Sequence, residues 1–92
     1  MAAAQRNGDS NDGGGVINSI PQSTVFVNSK LVSVDGSIGT GHPVGVPHSA
    51  GTWKTANGSS TVFAGGIAIN RTGDADTCEH TRAGGSDDVF VG

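Results

Sequence analysis

The sequence predicts an all-β fold of short hairpins, and three observations carry the prediction. Residues 60–74, "STVFAGGIAINRTGD", largely repeat residues 23–37, "STVFVNSKLVSVDGS". In both copies, β-branched and aromatic residues that favour strands precede two small or turn-prone residues. No segment has a sustained helical period, and the density of Gly, Pro, Asn and Ser rules out a long helix. We therefore expect strands and tight turns, with the repeat as the building unit.

Each copy of the repeat predicts one hairpin, at about 23 to 36 and at about 60 to 73. The turns are expected at Asn28-Ser29 and at Gly65-Gly66. Two-residue hairpin turns need positive φ angles, which Asn and Gly adopt readily.

A third copy of the repeat is split between the two ends of the chain. The segment "AAQRNGD" at 3–9 resembles "AINRTGD" at 68–74, which is a second hairpin arm. The segment "DDVFVG" at 87–92 repeats the Val-Phe-Val of a first arm. Residues 3 to 8 should therefore pair antiparallel with residues 87 to 91. The prediction is a single domain over residues 1–92, with three hairpins, pseudo-three-fold symmetry and few free strand edges.

The composition indicates that the fold needs a stabilising element besides its core. The chain has 92 residues, of which 34% are hydrophobic and 16 are glycine, and small domains with thin cores usually need a disulfide, a metal or a partner. The single cysteine, Cys78, excludes an internal disulfide. The net charge of −3 and the scattered basic residues argue against a nucleic-acid partner.

The residues able to bind a soft metal lie in the stretches between the hairpins, at roughly 10–22, 38–59 and 75–86. Three imidazoles and one thiolate form a tetrahedral ligand set of the kind that zinc favours, with iron as the alternative. A single loop histidine is more often a solvated surface residue, but concentration of the whole set in two loops favours a metal site. The candidate ligands are all the histidines and the only cysteine of the chain: His42, His48, Cys78 and His80.

The hairpin arms alternate in a way that predicts a core face and a docking face. One face carries Val25, Val27, Val62, Val89 and Val91 and the other carries Phe26, Phe63 and Phe90, and together the two faces supply a core layer and a possible docking surface. Trp53 is expected to cap the core, in preference to an exposed role in membrane contact. The residues expected to bind a partner are Val25, Phe26, Val62, Phe63, Val89 and Phe90.

The order of motifs along almost the whole chain resembles that of the PAAR-repeat proteins. Members of that family carry an Ala-Ala-Arg-like start with a Gly-Asp, then a Gly-Gly, then hairpins of the type Ser-Thr-Val-Phe-Val-Asn-Gly-Lys. The matching segments are "AAAQRNGD" (2–9), "GGG" (13–15), "STVFVNSKLVSVDG" (23–36), "GHPVGVPHSAG" (41–51), "GSSTVFAGGIAINRTGD" (58–74) and "CEH" (78–80).

The resemblance implies a small pointed cone with a metal near its apex, held by three His and one Cys. It implies that the base caps a trimeric β-helical spike, with one copy of this chain per trimer, and that the tip pierces a membrane transiently. The expected location is the virion, at the tip of a contractile phage tail spike. The alternative is a type VI secretion spike tip, made in the bacterial cytoplasm before secretion. The lack of a cargo segment after Gly92 favours the phage tail.

The chain departs from the family pattern at several positions. Many relatives have histidine directly before the Gly-Gly, where this chain has Asp12, so the part that Asp12 takes in the site stays open. The Asn-Gly-Lys turn is Asn28-Ser29-Lys30, and "AAAQR" contains no proline. These departures leave the four candidate ligands intact.

We expect no enzymatic activity, because the sequence shows no Ser-His-Asp set, no paired carboxylates in matching contexts and no phosphate loop. A small zinc hydrolase is an alternative of another class. It would need an open coordination position and a general base such as Glu79. Four available protein ligands argue against such an open position.

Overall fold

A computed structural model describes residues 2–46 and 48–92, and this part of the chain is all-β with no helix. Its strands form four antiparallel two-stranded pairs: β1 with β8, β2 with β5, β3 with β4 and β6 with β7. Among these residues no helix has the length and apolarity to cross a membrane. The strands are β1 (Ala2–Ala3), β2 (Ile17–Ser19), β3 (Phe26–Val27), β4 (Lys30–Leu31), β5 (Ile38–Gly39), β6 (Phe63–Ala64), β7 (Ile67–Ala68) and β8 (Phe90–Val91).

The two intact hairpins lie at the predicted turns. Strands β3 and β4 pair with Val27 opposite Lys30, and β6 and β7 pair with Ala64 opposite Ile67. Asn28 and Ser29 have φ angles of 53° and 65°, and Gly65 and Gly66 have 59° and 81°. Positive φ at both central residues is what a type I′ turn requires, so the turn prediction is confirmed.

The first strand of each intact hairpin is shorter than the predicted arm, because a polar side chain bonds to the backbone just before it. Gln22 Oε1 accepts hydrogen bonds from the backbone N–H groups of Thr24 and Val25, both at 2.9 Å. Ser59 Oγ does the same for Thr61 and Val62, at 3.1 and 3.0 Å. These bonds occupy the N–H groups of Val25 and Val62 and compete with the strand ladder. Only the carbonyls of the two valines bond to the opposite arm, accepting from Val32 and Ile69 at 3.0 and 3.1 Å.

The two ends of the chain form the third strand pair, as predicted. Ala2 lies opposite Val91 and Ala3 opposite Phe90, and the Ala4 N–H donates to the Val89 carbonyl at 3.0 Å. The predicted pairing of residues 3–8 with 87–91 is too long. From Gln5 onward the segment turns to other partners, which the third copy of the repeat did not reveal.

Those partners are the second arms of the other two repeats, and the three arms bond to one another in a ring. Gln5 N–H donates to the Asn70 carbonyl (3.1 Å), Asn70 N–H to Ser33 (2.9 Å) and Ser33 N–H to Gln5 (2.8 Å). All three residues are fully buried. Isolated bridges flank the ring in the same cyclic order and join Ala4 to Arg71, Arg6 to Val32 and Val34 to Ile69. The three copies therefore hold one another through equivalent backbone groups.

Strand pair β2–β5 lies inside the stretches that the sequence assigned to connections. Gly39 of β5 approaches the chain so closely that a Cβ at this position would collide with the Val16 carbonyl, which explains why the position is glycine. This pair leads the chain directly into the segment that carries His42.

Two apolar clusters form the core. One contains Ala4, Val32, Val34, Ala64, Ile69 and Val91, and the other contains Ile17, Trp53 and Cys78. Trp53 is fully buried, and its indole N–H donates to the Thr40 carbonyl at 2.9 Å. The core-capping interpretation of Trp53 is confirmed. The body that these clusters support measures 32 × 23 × 22 Å.

The two faces of the hairpin arms are less distinct than the alternation predicts. Phe26, Phe63 and Phe90 are 58%, 56% and 52% exposed. Val25 and Val62 are also exposed, because each precedes the first strand residue and lies in a side-chain-capped bend. Val91 is buried, whereas Val27 and Val89 are half-buried.

Candidate metal centre

The four candidate ligands lie together. One ligand atom from each of His42, His48, Cys78 and His80 falls within 4.8 Å of all the others. His42 Nε2 is 2.9 Å from His48 Nδ1 and 4.0 Å from Cys78 Sγ. The three imidazole rings have centroids 4.8 to 5.0 Å apart. The group could hold a metal ion, and the predicted ligand set is brought together as a unit.

Short backbone turns present the ligands. His42 N–H donates to the His48 carbonyl at 2.9 Å, which closes the loop between these two histidines. On the other side, Asp76 N–H donates to the His80 carbonyl at 2.7 Å. Glu79 within that turn has a φ of 73°, the left-handed conformation that such a tight reversal needs. Both loops are therefore fixed at their bases by backbone bonds.

The donor atoms fit a metal in chemistry and in spacing. His80 Nε2 is buried without a hydrogen-bond partner among the described residues. In a tetrahedral site with metal–ligand bonds of 2.0–2.3 Å, neighbouring donors are about 3.3–3.8 Å apart, and the observed separations of 2.9 and 4.0 Å bracket that range. Small side-chain adjustments would bring the donor atoms to these separations.

The protonation state of His48 is suited to ligation. Loss of hydration, followed by the charges of His42 and His80, holds the pKa of His48 below its ordinary value. The neutral imidazole, which is the form that binds a metal, is therefore favoured.

A buried ion pair beneath the ligands was not predicted from the sequence. Arg82 Nε lies 3.4 Å from Asp76 Oδ1, and both side chains are completely inaccessible to solvent. Asn11 Nδ2 donates to the other oxygen of Asp76 at 2.9 Å, and the Arg82 guanidinium lies 5.5 Å from the centre of the Trp53 ring. Burial raises the pKa of Asp76 and lowers that of Arg82, and the attraction between the two charges opposes both shifts only in part.

The first loop contributes no ligand but lies directly against the site. A Cβ on Gly13 would come within 2.5 Å of the His80 ring, and one on Gly15 within 2.7 Å of His42 Nδ1. Both positions therefore need glycine for the imidazoles to fit. Asp12 is outside the ligand group, and its Oδ1 lies 3.0 Å from His80 Nδ1. This contact answers the question that the sequence left open about Asp12.

The acidic residues of the repeated Arg-x-Gly-Asp segments serve turns. Asp9 accepts from the backbone and the guanidinium of Arg6, and Asp74 does the same for Arg71. The six residues predicted to bind a partner lie in or beside the hairpin arms, and none of them belongs to the ligand group.

Compared with known proteins, the chain matches no protein-family model and no curated protein.

Proposed function

We propose that this chain is a metal-stabilised tip that caps the trimeric β-helical central spike of a contractile phage tail baseplate. The observation that carries the proposal is the set of three exposed phenylalanines. Phe26, Phe63 and Phe90 each begin a strand of a different pair, at equivalent places in the repeat. More than half of each side chain is exposed. Three equivalent apolar residues on one chain suit a partner with three equivalent chain ends.

The proposal includes a pseudo-three-fold cone, and the ring of backbone bonds supports it. The ring through Gln5, Ser33 and Asn70 joins the three copies head to tail in the order that three-fold symmetry requires. One copy of the chain would then match one spike trimer, with no second copy needed to complete the symmetry.

The metal in this proposal is one zinc ion, with ferrous iron as the alternative. Its three protein imidazoles and one thiolate would close a structural site. Three imidazoles and one thiolate are the kind of ligand set that zinc favours, and both ligand types also bind iron.

The proposed action is mechanical. A contracting sheath would drive the spike, and the tip would meet the host membrane first and transiently. The metal would cross-link the loop of His42 and His48 to the loop of Cys78 and His80, so that the tip resists unfolding under force. No nucleic acid takes part. The same geometry would serve a type VI secretion tip, and the genes beside this one distinguish the two.

Co-expression with a trimeric β-helical spike chain from a contractile tail tests the proposal. Wild-type chain should co-purify with the spike, and the triple variant Phe26→Ser/Phe63→Ser/Phe90→Ser should not. The control is Val44→Ser/Val46→Ser, which removes two exposed apolar side chains from the metal loop instead. Retention of the triple variant on the spike, at the level of the control, would contradict the proposal.

A further inference from the structure

The first loop holds no ligand, yet one of its side chains bonds directly to a ligand. Asp12 Oδ1 lies 3.0 Å from Nδ1 of His80, which leaves Nε2 as the ring nitrogen without a hydrogen-bond partner among the described residues. An ionised carboxylate only accepts hydrogen bonds, so the proton of this bond belongs to the imidazole. His80 must then carry hydrogen on Nδ1, and its Nε2 keeps the lone pair that a metal needs.

The carboxylate of Asp12 is itself held in place. Thr81 donates to it twice, from its backbone N–H at 3.2 Å and from its hydroxyl at 3.1 Å. In the reverse direction, the Asp12 N–H donates to the Thr81 carbonyl at 2.9 Å. These bonds hold the pKa of Asp12 below its usual range, with the bond from the Thr81 backbone as the largest cause. The Asp12 carboxylate is therefore held in one position by these hydrogen bonds.

Packing restricts the His80 ring from the other side. Gly13 follows Asp12 directly, and a side chain at Gly13 would overlap the ring. The ring is therefore packed against the first loop, with Nδ1 bonded to Asp12 and Nε2 buried without a hydrogen-bond partner among the described residues. Orientation and tautomer are fixed by the same short segment.

We propose that Asp12 is a positioning residue that sets the tautomer and the orientation of His80 for metal binding. The inference rests on the metal site of the proposed function and extends it to a residue that does not touch the ion. Outer carboxylates of this kind typically change metal affinity 10–100-fold. Because the Asp12 side chain is 55% exposed, water can partly replace it, and we expect an effect near the lower limit.

Metal affinity of the full chain provides the first test. Zn²⁺ and Co²⁺ would be titrated into metal-free protein in competition with a chelator. Asp12→Ala should weaken binding of both metals about 10-fold. Asp12→Asn should stay close to wild type, because its amide oxygen can still accept from Nδ1. Asp87→Asn, which removes an equal charge from an exposed residue beside β8, should bind as the wild type does.

The tautomer of His80 provides the second test and needs no metal. Long-range ¹H–¹⁵N spectra of the metal-free chain should show the proton of His80 on Nδ1 in wild type and in Asp12→Asn. Asp12→Ala should lose that preference while its other resonances stay folded. A role in stability alone would lower the melting temperature without changing the tautomer.

The outcomes separate this inference from the proposed function. A wild-type chain that binds neither ion overturns both. Suppose that wild type binds metal, that Asp12→Ala has the same metal affinity as Asp87→Asn, and that its His80 has the same tautomer as in wild type. In that case only the role of Asp12 is overturned. If Asp12→Asn is as weak as Asp12→Ala, the effect is one of charge and the positioning role is wrong.

Discussion

Loss of the metal should destabilise this protein strongly, because the ion would join two loops that are distant in sequence. The ligands of the two loops that are nearest in sequence, His48 and Cys78, are about 30 residues apart. A cross-link that closes a loop of this length lowers the entropy of the unfolded chain, which stabilises the folded state by about 4 kcal/mol at 25 °C. For a domain of this size, each kcal/mol corresponds to roughly 4–8 °C in melting temperature. We therefore expect a fall of about 15–30 °C on removal of the ion.

Differential scanning calorimetry of the wild type and of Cys78→Ser, each with and without a strong chelator, measures this effect. The chelator should lower the melting temperature of the wild type by the stated amount and leave Cys78→Ser unchanged. That comparison matters because Cys78 is only 4% exposed, so serine at this position also has a packing and desolvation cost. Equal melting temperatures of wild type with and without chelator, in protein shown to contain the metal, would refute the cross-link argument.

Three further predictions concern the fold. Arg82→Met should lower the free energy of unfolding, measured by urea denaturation, by about 3–5 kcal/mol, because it leaves the Asp76 charge buried and unpaired. The double variant Arg82→Met/Asp76→Asn should regain most of this loss. Equal stability of the single and the double variant would contradict this prediction. Trp53→Ala should lower the free energy of unfolding by about 3–5 kcal/mol, and a loss below about 1 kcal/mol would show that the residue does not cap the core. A permuted chain, with its ends joined by Asn-Gly and opened between Ser29 and Lys30, should fold to a similar circular dichroism spectrum, whereas deletion of residues 87–92 should unfold the protein.

The turns and the ligand set could be predicted from the sequence because they depend on local chemistry and on simple counting. Asn28-Ser29 and Gly65-Gly66 have the positive φ angles that a two-residue hairpin turn requires. The chain offers only four soft or imidazole ligands, so the inventory nearly determined the group. The pairing of β1 with β8 could be predicted from the split repeat. The two intact copies show that a first arm pairs with a second arm, and the chain ends carry one arm of each kind.

The polar interior could not be predicted because burial of a charge depends on distant partners. Arg82 follows His80 and Thr81 in a polar segment with no apolar periodicity, yet it is 1% exposed beside Trp53 and Asp76. The ring through the second arms was missed for a similar reason. Local patterns predict pairing within a hairpin, whereas the buried backbone N–H groups of Gln5 and Asn70 donate to carbonyls of neighbouring repeats.

The exposure of Val25 and Val62 shows how a small local feature shifts an alternation pattern. Period-2 arguments hold only within a continuous strand. Here Gln22 and Ser59 bend the chain immediately before the strands, so the alternation begins at Phe26 and Phe63. Val25 and Val62 are exposed, as the three phenylalanines are, so at these two positions the alternation does not separate a buried face from an exposed one.

Native mass spectrometry of this chain mixed with the proposed spike trimer tests the central claim most directly. The three copies of the repeat within one chain should supply three similar hairpins, so one chain should match one spike trimer. We predict a mass of three spike chains plus one copy of this 9.1 kDa chain, with one metal ion retained. A complex with three copies of this chain per spike trimer, or no complex at all, would contradict it.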